Sequence, residues 1–144
     1  MLDRNMLDVL QYNANMLREA SDIHDLVRKH DVGTQVRGVM AQGRLSGKYF
    51  HNQPTWAADD NRSRQAGSQD FRCYSALEAY IPEGYTMSQV AIRWMLDLPG
   101  NHSICLGAKS LEDYKIALEA VDLPPLTHDV RSALAACAAR LQQP

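Results

Sequence analysis

The pattern most suited to binding chemistry in this 144-residue sequence is a short turn near residue 107. Residues 103–106 predict a short strand, which leads into Gly107, Ala108 and the cation Lys109, and Ser110 stands where a helix would begin. The start of a helix presents backbone N–H groups and the positive end of the helix dipole, so it attracts phosphate, and a lysine adds a full positive charge. Taken alone, the pattern favours an ordinary connection between a strand and a helix, and a phosphate subsite is the alternative that would give it a function.

A second glycine-containing segment, residues 43–48, does not satisfy the P-loop pattern. Gln42 stands where that motif needs glycine, and Tyr49 stands where a serine or threonine would hold magnesium. The sequence therefore does not predict a nucleoside triphosphate site here.

The histidines and cysteines do not predict a metal site. The five histidines include no pair four residues apart and no cluster with cysteines, so surface or helix-capping roles are favoured for them. Cys73, Cys105 and Cys137 are widely spaced and odd in number, which fits free thiols rather than a disulfide framework or a CxxC motif. The sequence contains no Gly-x-Ser-x-Gly motif and no obvious pair of carboxylates at the end of a predicted strand. No catalytic residue is therefore assigned from a motif.

The elements that position these residues follow from the spacing of apolar side chains. Residues 7–12 and 34–39 predict short strands. Between them, an amphipathic helix from residue 17 is expected to end with Gly33 in a left-handed conformation. The strand–helix–strand order predicts a parallel pair of strands.

Further helices are predicted around residues 70–80, after Thr86, after Ser110 and from Thr127 onward. Thr86 and Gln89 have the spacing of a capping box. The predicted inner face of the helix after Thr86 consists of Val90, Ala91, Trp94, Met95 and Leu98. The predicted buried stripe of the helix after Ser110 consists of Leu111, Tyr114, Ala117, Leu118 and Val121. The last helix is predicted to bury Val130, Leu134, Cys137 and Leu141.

Three strands alternating with helices predict the α/β class. Residues 1–144 are expected to form a single domain, with a loop-rich insertion at about residues 41–70. A net charge of −2 excludes a strongly basic nucleic-acid-binding surface, and the apolar runs are too short to span a membrane. Charged residues close to Met1 argue against a signal peptide, so a cytoplasmic protein is expected. The length is also below the roughly 200–250 residues of a complete (β/α)8 barrel.

Several segments together resemble the C-terminal half of aldo-keto reductases. Residues 36–49, VRGVMAQGRLSGKY, resemble a family strand followed by Pro-Leu-Ala-x-Gly-x-Leu-Thr/Ser-Gly-Lys-Tyr. Residues 59–64 resemble the next loop of the family, and residues 89–96, QVAIRWML, resemble its ALRWvL helix. Residues 107–110, GAKS, resemble the GARS turn that receives the 2′-phosphate of NADP(H). Their order and spacing cover nearly the whole chain.

This resemblance implies a partial (β/α)8 TIM barrel in which three parallel strands correspond to family strands six to eight, with helices outside. It implies an NADP(H)-linked oxidoreductase of carbonyl compounds. The catalytic Asp, Tyr, Lys and His of the family belong to a part that this sequence does not resemble, so the resemblance assigns no catalytic residue. Because a general acid typically contributes about 10²–10⁴-fold to such a reaction, the chain alone is expected to be inactive.

The resemblance also implies a set of cofactor contacts. The implied cofactor-binding residues are Gln11, Val39, Met40, Gly43, Leu45, Gly107, Lys109, Ser110 and Asp113. Ala14 stands where the family has an aromatic residue that stacks on the nicotinamide, with Tyr12 as a substitute if the register shifts. Ala117 replaces an adenine-binding asparagine. Contact to the adenosine-phosphate end is therefore expected to survive best, with Lys109 favouring NADP(H) over NAD(H) by about 1.5–3 kcal/mol.

The expected partner is a second copy of the chain or a complementary barrel half. A three-stranded parallel sheet leaves two unpaired edges, and Val9, Val36 and Ile104 are expected to face inward without the layers that fill a barrel. An alternative function is a non-catalytic NADP(H)-binding or protein-interaction module that pairs through its open barrel edges. No nucleic-acid or membrane partner is expected.

Overall fold

The computed structural model describes residues 7–60, 63 and 70–142. Its sheet has the order β1 (Val9–Asn13), β2 (Gly33–Arg37) and β3 (Ser103–Cys105), and both neighbouring pairs are parallel. The α-helices are α1 (Ser21–Lys29), α2 (Met87–Leu96), α3 (Leu111–Asp122) and α4 (His128–Leu141). Two 3₁₀ helices span Ala41–Gly43 and Phe71–Tyr80. The predicted α/β class is confirmed.

The sheet has one face packed against helices and one face open to solvent. We call the first the covered face; it carries Leu10, Tyr12, Thr34, Val36 and Ile104. We call the second the open face; it carries Val9, Gln11, Asn13, Gln35, Arg37, Ser103 and Cys105. The covered face shares one hydrophobic core with α2 and α4.

The expectation of an apolar inward face is therefore wrong for two of its three residues. Val36 and Ile104 lie on the covered face, where helices already pack on them. Val9 lies on the open face with 59% of its surface exposed, among polar neighbours. The alternation of side chains in a strand puts consecutive residues on opposite faces, and the residues that face away from the helices are mostly polar.

The segment around α1 differs from the prediction at both ends. Residues 17–20 precede the helix, in a turn where Asn15 Oδ1 accepts two backbone N–H bonds. The left-handed residue after α1 is Asp31, with φ of 51°, and not Gly33, because Asp tolerates this conformation. Gly33 belongs to β2, where a Cβ atom would lie 3.2 Å from Asp8 O and 3.3 Å from Val9 Cγ2. Because Gly33 has no side chain, β1 can lie close to it.

The predicted caps of α2 and α4 are confirmed, and so are their buried faces in part, because Leu98, beyond the end of α2, and Val130 and Leu141 of α4 are only half-buried. Thr86 and Gln89 form a reciprocal capping box, and the predicted residues within α2 are all buried. In α4, Leu134 and Cys137 are buried, and Thr127 accepts a hydrogen bond from Val130 N at its start. Among the described residues, no helix is long and apolar enough to cross a membrane.

The predicted buried stripe of α3 is wrong for four of its five residues, while the fifth, Ala117, is half-buried against the core. Four large apolar side chains are exposed, namely Leu111 (73%), Tyr114 (54%), Leu118 (70%) and Val121 (59%). Ala120, in contrast, is fully buried. The small side chain of Ala120 allows α3 to lie close to α2, and the larger apolar side chains fall on another side of α3. Helical periodicity identifies an apolar stripe but not whether another element covers it.

The prediction that the histidines lie at the surface or cap helices is wrong for His24. This residue is buried, and its Nε2 atom lies 2.8 Å from Tyr12 Oη. The Tyr12 hydroxyl donates to Asn101 Oδ1 at 2.6 Å, so the ring N–H of His24 donates to the Tyr12 oxygen. Burial lowers the pKa of His24 and raises the pKa of Tyr12.

Candidate functional site

A cavity of about 340 Å³ lies at the carboxyl ends of β2 and β3. One wall consists of the chain that follows β2, including Gly38, Val39 and Met40, and the opposite wall consists of the turn from β3 into α3. Ligand sites usually occupy about 300–1,000 Å³, so this cavity has room for a part of a dinucleotide. Its position at the carboxyl ends of parallel strands is the usual place of binding sites in α/β barrels.

The wall after β2 has an unusual backbone. Positive φ angles occur at four residues of this wall, Gly38, Ala41, Gln42 and Gly43, and the angle at Gln42 is 60°. At Gly38 the φ of 77° favours glycine, and a Cβ atom would also meet the side-chain oxygen of Asn13. The left-handed conformation costs a non-glycine residue roughly 1–2 kcal/mol, and such strain is concentrated at functional sites.

Both lysines that line the cavity are paired with carboxylates. Lys109 Nζ lies 2.6 Å from Asp60 Oδ2, and Lys48 Nζ donates to Asp113 Oδ1. The hydrogen bond from Lys48 is the main reason why the pKa of Asp113 lies below its usual value. The two positive charges therefore face two negative charges, and an anionic ligand would have to replace at least one carboxylate.

The start of α3 forms one corner of the site. Ser110 caps the helix, and its Oγ accepts a hydrogen bond from Asp113 N at 3.1 Å. Asp113 Oδ2 in turn accepts from Lys109 N at 3.2 Å. Because the first turn of α3 also contains Glu112, its acidic side chains offset the positive end of the helix dipole.

The structure brings most of the expected cofactor-binding residues to this cavity. Those that line it are Val39, Met40, Gly43, Gly107, Lys109 and Asp113. Ser110 lies at the cap of α3 beside it. Leu45 is fully buried in the core, and Gln11 lies on the open face, where its side chain donates to Gln35. These two residues are separated from the cavity lining.

The positions considered for stacking on the nicotinamide lie elsewhere. Ala14 is fully buried, and Tyr12 lies on the covered face, bonded to His24 and Asn101. Tyr12 is therefore no substitute for an aromatic residue at the cavity. Ala117, expected at the adenine end, does line the cavity.

Sequence reasoning missed several residues of the cavity. Lys48 and Tyr49 line it, and both belong to the Gly-Lys-Tyr segment whose resemblance was noted without a role. The Tyr49 ring packs edge to face on Trp56 and Phe71, with ring centroids 5.2 Å and 5.8 Å away. Asp60 belongs to the segment that resembles the next loop of the family, but its place beside Lys109 depends on the path of that loop.

A partial barrel with a cavity at the carboxyl ends of its strands defines the class of fold, and comparison with known proteins defines the family. The sequence matches the family model described as Aldo/keto reductase family over residues 4–139. This chain belongs to the aldo-keto reductase family. The comparison with curated proteins found no match.

Solved structures of similar fold are aldo-keto reductase barrels. A glycerol dehydrogenase from Gluconobacter oxydans superposes with a TM-score of 0.77 at 24% identity, covering 94% of this chain and 44% of its own. The holo form of an aldo-keto reductase from Bacillus halodurans superposes with a TM-score of 0.69 at 20% identity, and the match covers 94% of this chain and 44% of that one. The apo form of the same enzyme gives a TM-score of 0.68 at 20% identity, and the match covers 94% of this chain and 45% of that one. The chain thus spans less than half the length of these proteins, and its fold is a partial (β/α)8 barrel.

Proposed function

We propose that this chain binds NADP(H) in the cavity after β2 and β3, as the phosphate-binding part of an aldo-keto reductase that acts on carbonyl compounds. The observation that carries the proposal is the position of Lys109, which lines the cavity one residue before the cap of α3. Family membership supports it, since the GAKS turn resembles the 2′-phosphate turn of the family. A Bacillus halodurans relative is described in a holo form.

The residues present fit a phosphate group once Asp60 moves away. The Lys109 side chain is 69% exposed, so its ion pair with Asp60 is screened by solvent and contributes at most about 1 kcal/mol. A phosphate monoester carries about −1.5 to −2 charges and three acceptor oxygens, which makes it a stronger partner than one carboxylate. Lys109 and Ser110 would hold the 2′-phosphate, and Val39, Met40 and Gly43 the diphosphate.

We further propose that the chain does not reduce carbonyl compounds without another part of the enzyme. NADP(H) supplies a hydride to a carbonyl carbon, and a positioned acid must protonate the oxygen. Tyr12 is buried on the covered face, where its hydroxyl donates a hydrogen bond to Asn101, and Tyr49 packs within an aromatic cluster. The proton donor would come from a region of the enzyme that this chain does not span.

The test is calorimetric titration of NADPH and NADH into the protein and its Lys109→Ala variant. We expect Lys109→Ala to weaken NADPH binding about tenfold, at the low end for a charge-assisted hydrogen bond, with little change for NADH. Lys29→Ala removes an exposed lysine of α1 and is the matched control, expected to bind as the unmodified protein does. Equal affinity of the unmodified protein for both cofactors, or no loss on Lys109→Ala, would contradict the proposal.

A rate measurement tests the absence of turnover. The purified chain with NADPH and an aldehyde is expected to consume no NADPH above the background rate. Turnover that disappears in Tyr49→Phe would instead assign the proton donor to Tyr49, the tyrosine at the cavity that follows β2.

A further inference from the structure

A row of exposed polar side chains lies at the carboxyl end of the open face of the sheet. In the parallel register Asn13 of β1 lies beside Arg37 of β2, and Arg37 lies beside Cys105 of β3. All three residues are exposed, and we call them the open-face row. Because neighbouring strands are about 4.8 Å apart, the row spans about 10 Å. An amide, a guanidinium and a thiol are thus within reach of one small ligand.

The open-face row adjoins the cavity of the candidate site. Cys105 lines that cavity, and so does Gly38, the residue that follows Arg37. The Asn13 side chain also lies against Gly38, since its oxygen would meet a Cβ atom placed on that residue. The cavity therefore continues onto the open face at the carboxyl ends of the strands, and a ligand there would lie beside a ligand in the cavity.

The Arg37 guanidinium differs from the two lysines of the cavity in having no anionic partner. Lys48 pairs with Asp113, and Lys109 pairs with Asp60. Arg37 makes no side-chain hydrogen bond and no ion pair among the described residues, and none of the seven residues of the open face is acidic. The end of the open face therefore carries a positive charge that no carboxylate of the described chain neutralises.

We propose that the open-face row is a carboxylate subsite, so that the carbonyl compound on which the enzyme acts carries a carboxylate group. The inference rests on the proposed function, in which NADP(H) occupies the cavity. The Arg37 guanidinium has paired N–H donors that match the two oxygens of a carboxylate, and the Asn13 amide adds a donor from the neighbouring strand. A neutral carbonyl compound would gain no charge-assisted hydrogen bond here.

The phosphate groups of the cofactor have other partners. In the proposed function Lys109 and Ser110 hold the 2′-phosphate, and the segment after β2 holds the diphosphate. Arg37 precedes that segment and does not itself line the cavity, because its side chain belongs to the open face. The anion that suits Arg37 is therefore one on the second ligand, the carbonyl compound.

The test is an NMR titration of the isotope-labelled protein with pyruvate, and with methyl pyruvate as the uncharged probe of the same carbon skeleton. Arg37→Gln is expected to weaken pyruvate binding about tenfold, the low end for a charge-assisted hydrogen bond, and to leave methyl pyruvate binding nearly unchanged. Arg37→Lys keeps the charge without the paired donors and is expected to fall between the two. Arg18→Gln removes the same charge from an exposed residue outside the sheet and is the matched control. No binding of pyruvate, or equal binding by Arg37→Gln, would overturn the proposal.

Calorimetric titration of NADPH into the same variants separates the carboxylate subsite from the cofactor site. Arg37→Gln is expected to bind NADPH as the unmodified protein does, and Lys109→Ala is expected to bind pyruvate as the unmodified protein does. Weaker NADPH binding by Arg37→Gln, with pyruvate binding unchanged, would give Arg37 to a phosphate of the cofactor and overturn the proposal. A protein that binds pyruvate through Arg37 but binds no NADPH would contradict the proposed cofactor site and support the carboxylate subsite.

Discussion

The two faces of the sheet differ in what they do, although they alternate residue by residue along the same strands. On the covered face, Tyr12, Thr34 and Val36 are buried under helices and hold the fold together. On the open face, Gln11, Gln35 and their neighbours are polar and partly or fully exposed. One layer of helices is therefore enough to bury the apolar half of each strand.

This difference means that the part of an aldo-keto reductase barrel described here leaves little apolar surface on the open face of its sheet. A sheet with apolar residues on both faces would expose its second face to water without the rest of the barrel. Here the second face exposes mainly amide, hydroxyl, thiol and guanidinium groups, with Val9 as the apolar exception. The candidate site lies at the strand ends, where the cavity and the two lysine–carboxylate pairs are found.

The largest expected effect comes from substituting neighbouring residues of β2 that point to opposite faces. Val36→Ala is expected to lower the free energy of unfolding by roughly 2–3 kcal/mol, because it leaves a cavity in the core. Gln35→Ala, on the open face, is expected to change it by less than about 0.5 kcal/mol. Urea denaturation measures both variants. Similar losses for the two would show that the open face is packed and not exposed.

The next largest effect is a pH dependence that belongs to the covered face. The pKa of His24 lies below its ordinary value of 6.5 because the ring is buried, so the unfolded chain takes up the proton first as the pH falls. The free energy of unfolding contributed by neutral His24 is complete above pH 6.5 and is lost progressively below it, at up to about 1.4 kcal/mol per pH unit. The free energy of unfolding, measured by urea denaturation at pH values from above 6.5 to below it, should therefore fall as the pH falls.

The control for this pH dependence is His24→Gln, whose amide can still donate to Tyr12 but does not titrate. The part of the slope just below pH 6.5 that belongs to His24 is expected to disappear in this variant. An unchanged slope would assign the pH dependence to other groups and would mean that His24 is protonated as easily in the folded chain as in the unfolded one.

The fold was predictable from the sequence where local signals agree with packing. The capping box of Thr86 and Gln89 and the amphipathic pattern after it place α2 correctly, because the cap and the buried face are encoded within one helix. The strand–helix–strand order also predicts the parallel sheet. For α3 the apolar stripe is visible but its exposure is not, because burial depends on the neighbouring element. His24 was missed for the same reason, since its partner Tyr12 belongs to another element.

The candidate site was predictable to the extent that it is contiguous in sequence. The turn around Lys109 carries its own signal, namely a glycine, a cation and a helix cap. The ion pairs do not, because Asp60 and Lys109 are brought together by a loop whose path the sequence does not specify. Gln11 was placed with the cofactor by resemblance, which stays a prediction, and in the structure its side chain donates to Gln35 on the open face.

The central claim is that a phosphate group takes the place of the Asp60 carboxylate at Lys109, and the NADPH affinity of Asp60→Asn tests it most directly. Removing this carboxylate frees the ammonium group and removes a repulsion, so NADPH is expected to bind roughly 2–5-fold more tightly, as expected for loss of an exposed ion pair. Asp59→Asn removes the same charge from the neighbouring exposed position and should leave the affinity nearly unchanged. Unchanged or weaker binding of NADPH by Asp60→Asn would contradict the account.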